Sequence, residues 1–70
     1  SSAMLEKALQ TAATAAKVNP DSVSATNEVY NPTDRTVEVT FEDGELTHTV
    51  VVSRDCKTVL SHTSAPVQQQ

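Results

Sequence analysis

The stretch Thr36-Val37-Glu38-Val39-Thr40-Phe41-Glu42-Asp43-Gly44-Glu45-Leu46-Thr47-His48-Thr49-Val50-Val51-Val52 reads as two strands around a tight turn. Val37, Val39 and Phe41 alternate with Thr36, Glu38 and Thr40, the period-2 pattern of an antiparallel sheet with one apolar and one wet face. Asp43-Gly44 suits a two-residue type I′ turn, because Gly tolerates the positive φ that such a turn requires. With Glu42 opposite Glu45, the predicted apolar pairs are Phe41 with Leu46, Val39 with His48 and Val37 with Val50. Thr40 with Thr47 and Glu38 with Thr49 then face out, and Val51 falls on the outer face beside Thr36.

Upstream, Val23, Ala25, Asn27 and Val29 alternate against Ser24, Thr26, Glu28 and Tyr30, giving an irregular first strand that ends at the turn Asn31-Pro32-Thr33-Asp34. Earlier still, Leu5, Ala8, Leu9, Ala12 and Ala16 recur three or four residues apart, predicting an amphipathic helix from Ala3 to about Lys17. Ser2 is placed to cap it, with Glu6 and Lys17 toward the dipole's two ends. Asn19 is expected at the left-handed C-terminal position, with Pro20 beyond. Downstream, a polar surface turn, Ser53-Arg54-Asp55-Cys56-Lys57, leads to a short last strand, Thr58–Ser61. From Thr63 onward no apolar period remains.

The expected fold is α+β: one N-terminal helix packed on a three- to four-stranded antiparallel β-meander, since a sheet with one apolar face needs a cover. Residues 1–3 read as an expression scar, 4–62 as a single α+β domain and 63–70 as a flexible tail. At 70 residues with one Cys, the chain has room for one thin core and no internal disulfide framework. A net charge of -4 with only five basic residues argues against nucleic acid as a partner. No run is long and apolar enough for membrane insertion.

The order helix, turn, strands and the phrase Val52-Ser53-Arg54-Asp55-Cys56-Lys57-Thr58-Val59-Leu60 resemble the PepSY domains of peptidase propeptides and bacterial envelope proteins. Val52, Val59 and Leu60 agree with the family's closing phrase. Ser53, Cys56 and Lys57 depart from the Asp, Thr and Gly usual there. The resemblance runs over about Leu5 to Leu60, and cystatin-like small domains share the helix-on-sheet arrangement. It implies an extracytoplasmic or secreted module, made with a signal sequence upstream of Met4, that restrains a peptidase without catalysis of its own. A cytoplasmic setting is the alternative, and one unpaired Cys suits either.

Cys56, Asp55, His48 and His62 are the only soft or borderline ligands, and no Cys-x-x-Cys or closely spaced His pair joins them, so neither metal nor cofactor is expected. Cys56 with a His is the only nucleophile and base on offer. A chain with one Gly has little with which to build an oxyanion pocket, so catalysis is not expected. His48, on the core face, is a candidate pH sensor, read first as a core-edge imidazole with a backbone partner. The acidic tip Glu42, Asp43 and Glu45 reads as solvated charge. Partner binding is assigned to Tyr30, Thr36, Glu38, Thr49 and Val51, with Val51 and Tyr30 as an apolar patch outside the core. The expected function is a noncatalytic protein-binding module acting on a peptidase. The alternative is a structural or adaptor subunit that binds another protein, or itself, through a sheet edge.

Overall fold

In the computed structural model, which describes residues 2–68, the quoted stretch forms β2 (Thr36–Glu42) and β3 (Leu46–Ser53). Before them come the helix α1 (Ser2–Ala15), a 3-10 turn η1 (Pro20–Ser22) and β1 (Ala25–Asn31), and after them β4 (Val59–Pro66). The strands lie in the order β1-β2-β3-β4, all antiparallel. This is the expected α+β architecture with four strands. Val37, Val39 and Phe41 of β2 and His48, Val50 and Val52 of β3 point to one face, where Ala8, Ala12 and Ala13 of α1 cover them. Alanines let the helix approach the sheet closely, and Met4, Leu5, Leu9 and Ala16 pack around the rim.

The hairpin register differs from the expected one by two residues. Phe41 faces His48, Val39 faces Val50, Val37 faces Val52 and Glu38 faces Val51, while Thr36 faces Ser53. Asp43 stands before the turn rather than in it. Its backbone N–H donates to the Leu46 carbonyl at 3.0 Å, and its carboxylate accepts from the amides of Glu45 at 2.9 Å and Leu46 at 2.8 Å. The two turn residues are therefore Gly44, at φ 101°, and Glu45. An even shift preserves the faces, so the core set survives although each cross-strand partner changes.

The helix ends at Ala15, two residues earlier than expected, through a Schellman motif. Val18 N–H donates to the Ala13 carbonyl at 2.9 Å and Lys17 N–H to the Thr14 carbonyl at 3.0 Å. Lys17, not Asn19, takes the left-handed conformation at φ 62°. Asn19 is extended and its side chain accepts from Asp21 N–H, opening η1 instead. Ser2 is itself helical rather than the cap, and neither Glu6 nor Lys17 falls in an end turn of α1.

β1 begins at Ala25 rather than Val23 and carries a bulge between Ala25 and Asn27. Ala25 keeps the core face opposite Phe41. Beyond the bulge the alternation is inverted, so Glu28 and Tyr30 face the helix side, opposite Val39 and Val37, and Val29 faces out opposite Glu38.

The C-terminal segment departs most from expectation. Rather than a tail from Thr63, β4 continues to Pro66, pairing with β3 as far as Leu46, and Val67 N–H donates to the Glu45 carbonyl at 2.9 Å. Every residue of β4 is exposed. Such a strand is held by backbone hydrogen bonds and has no apolar alternation to read. Gln69 and Gln70, part of the expected tail, lie outside the described residues.

Candidate functional site

Among the described residues, α1 covers one face of the sheet and leaves the other bare. Thr36, Glu38, Thr49 and Val51 all lie on this outer face, as expected. Tyr30 does not join them, because the β1 bulge turns it to the helix side. The same inversion delivers Val29, expected on the opposite face from Tyr30, to the outer face at 47% exposure. Val29, Glu38, Val51 and Ser61 thus form one row across the four strands. Asn27, Thr40, Thr49 and Thr63 form the next. The surface is a short apolar pair flanking one carboxylate, bordered by β-branched hydroxyls. On a pleated sheet such residues pack laterally and leave a firm, shallow platform. Leu60, 54% exposed at the β3–β4 irregularity, adds an apolar residue at the edge.

Charge is distributed lengthwise. Arg35 and Arg54 line a shallow depression with Ser53 and Asp55 at one end of the sheet. Lys57 belongs to the same turn, and Lys7 acts electrostatically on Asp55 and Cys56 there. At the opposite end, the hairpin tip carries Glu42, Asp43 and Glu45. The Asp55 carboxyl is held below its ordinary range by hydrogen bonds from Ser53 Oγ and Lys57 N–H.

The helix-side face holds a chain of three titratable side chains. His48, 4% exposed, stacks on Phe41 with ring centroids 5.1 Å apart. Its Nε2 lies 2.7 Å from Asp43 Oδ2 and its Nδ1 lies 2.9 Å from His62 Nε2. The core-face placement of His48 was legible, but its partners are Asp43 and the exposed His62 rather than a backbone group. Hydrogen bonds from His48, Leu46 and Glu45 pull the Asp43 carboxyl down to about 2. Asp43 is therefore ionised at neutral pH, which places a proton on His48 Nε2. Of the two facing imidazole nitrogens, one donates to the other. The His48–His62 contact ties β4 to β3.

Cys56 is not the surface thiol expected of its turn. At φ 63° its side chain turns inward, 1% exposed, with Sγ 3.4 Å from the Met4 carbonyl oxygen. Thr11 Oγ1 donates to the Cys56 carbonyl at 2.6 Å, fastening the turn to α1. Burial pushes the thiol up from its ordinary value of 9.0. Cys56 follows the far end of β3 from the Asp43–His48 pair, so the structure does not bring these side chains together. Among the described residues no group of three or more His, Cys, Asp or Glu side chains is placed to hold a metal ion, and no helix is long and apolar enough to cross a membrane.

No protein-family model, curated protein or solved structure matches this chain. The resemblance to PepSY domains therefore rests on the hydrophobic frame of the sequence and the order of its elements.

Proposed function

We propose that this chain is a noncatalytic protein-binding module of PepSY type that docks on a peptidase through its uncovered sheet face, in an extracytoplasmic or secreted setting. The observation that carries this reading is the row Val29–Glu38–Val51, an apolar pair around a carboxylate on a face that α1 leaves bare. Two valines on a firm platform supply the water-excluding contact, and Glu38 supplies a charge for a basic group on the partner. The helix with its meander, and Val52, Val59 and Leu60 in the closing phrase, support the family reading.

The test is capture from the secreted fraction and from cell lysate of the source organism, with the intact chain and with Val51→Lys as baits, followed by assay of any recovered peptidase with each. Recovery and inhibition of a peptidase by the intact chain, both lost with Val51→Lys, is the expected result. A peptidase held equally by both baits removes the outer face from the interaction. Recovery only of a stoichiometric set of nonpeptidase subunits makes the domain a structural adaptor.

A further inference from the structure

We propose that two copies of this chain join β4 to β4, antiparallel about a two-fold axis at Thr63, forming one continuous sheet with four strands from each copy. This goes beyond docking on the outer face and does not depend on it.

The phase of the β3–β4 ladder defines what the open edge offers. Val67 N–H donates to Glu45, one residue past the Leu46–Pro66 pair. Since hydrogen-bonded and non-hydrogen-bonded pairs alternate, Ser61, Thr63 and Ala65 direct their peptide groups to β3, whereas His62, Ser64 and Pro66 direct theirs outward. Pro66, with no N–H, thus falls where it costs the internal ladder nothing. An antiparallel second copy centred on Thr63 sets His62 against Ser64 of the second copy, and Ser64 against His62 of the second copy. Each pair exchanges two backbone hydrogen bonds, and the exposed Leu60 comes beside Pro66 of the second copy.

Three features favour a second copy as the occupant. β4 carries no Asp, Glu, Lys or Arg, so self-pairing sets no fixed like charges against each other along the strand. An antiparallel arrangement also turns the basic end of each copy, with Arg54 and Lys57, toward the acidic Glu42–Glu45 tip of the other, a complementarity that only the antiparallel sense provides. Finally, the His48–His62 hydrogen bond holds the strand in place before pairing, which lowers the entropy lost on association. β1, the other edge, is protected. It is bulged, and a two-fold axis at its middle would bring Glu28 against its own copy.

Sedimentation equilibrium of the full 70-residue chain tests the proposal. The expected mass is twice 7.5 kDa, falling to one copy as salt weakens the end-to-tip attraction. Ser64→Pro removes an outward N–H while leaving the β3 ladder intact, and is expected to give a folded monomer. Thr63→Lys and Thr63→Glu each place like charges on the axis and are expected to be monomeric alone, regaining the dimer mass when mixed. This pair keeps the test alive if Ser64→Pro fails to fold. Val51→Lys is expected to leave the dimer unchanged, which separates this interface from peptidase docking. A mass of one copy across the whole concentration series overturns the proposal. So does a dimer that survives both Thr63 variants, or a Thr63 mixture that stays monomeric.

Discussion

Asp43 Oδ2 and His48 Nε2 lie 2.7 Å apart, a carboxylate at the hairpin tip paired with an imidazole that is almost wholly buried. The pair explains why the turn begins one residue later than the Asp43-Gly44 dipeptide suggests. Asp43 is already committed to the Glu45 and Leu46 amides and to His48, and a residue so tied cannot occupy a central turn position.

Acid unfolding reports this pair. The Asp43 carboxyl sits at about 2 in the fold against an ordinary 3.8, chiefly through the His48 hydrogen bond. The unfolded chain therefore takes up the proton first as pH falls. The group's stabilisation is complete above 3.8 and is lost as pH drops through about 2. Asp43→Asn is expected to be less stable at neutral pH and to lose this acid limb. Denaturant midpoints of the two proteins between pH 2 and pH 6 check it, and parallel curves would contradict the role given to Asp43.

Glu28 has the opposite sign. Burial, with a further contribution from Glu6, raises its carboxyl above the ordinary 4.5, and its buried Oε2 has no hydrogen-bond partner. Here the native state holds its proton longer, so ionisation weakens the fold as pH rises from 4.5 through the raised value. Glu28→Gln is expected to raise the urea midpoint at pH 7 and to converge with the parent at acid pH. A lower midpoint for the variant at pH 7 would show that the carboxylate has a stabilising partner.

Cys56 is expected to react with a thiol reagent only as the domain opens, because its sulfur is buried and its ionisation is suppressed. Labelling in native buffer should be far slower than in urea, and Thr11→Ala, which releases the turn from α1, should accelerate it. Cys56→Ala removes a buried atom beneath the helix, at a cost on the order of 1 kcal/mol by urea denaturation. Native labelling at the speed of a free thiol would place the side chain outside the core.

Lys17 holds φ 62° at the helix C-terminus, a conformation that strains any residue with a Cβ. Lys17→Gly is expected to stabilise the domain by about 1 kcal/mol, read as a higher urea midpoint. No gain would mean that the Lys17 side chain contributes as much as its backbone costs.

The faces of β2 and β3 were legible because alternation over Val37–Phe41 and His48–Val52 leaves one choice of inside and outside. The partners across that face were not, because the register depends on which residues the Asp43 carboxylate binds. Four of the five expected contact residues share the outer face for the same reason. Tyr30 does not, because a single bulge inverts β1 and leaves no trace in its polar sequence. Cys56 looked like a surface residue in a polar turn, and only the left-handed backbone and the Thr11 bond turn it inward. The link between His48 and His62 spans 14 residues, and no local pattern anticipates it.

The element order, the apolar face of the hairpin and the alanine stripe that meets it follow from hydrophobic period and turn chemistry along the chain, so the order of amino acids is enough to specify them. The register, the inversion of β1, the burial of Cys56 and the continuation of β4 beyond His62 emerge on folding. Those depend on hydrogen bonds between residues distant in sequence. An exposed edge strand, in particular, is specified by the peptide groups of its neighbour rather than by its own side chains.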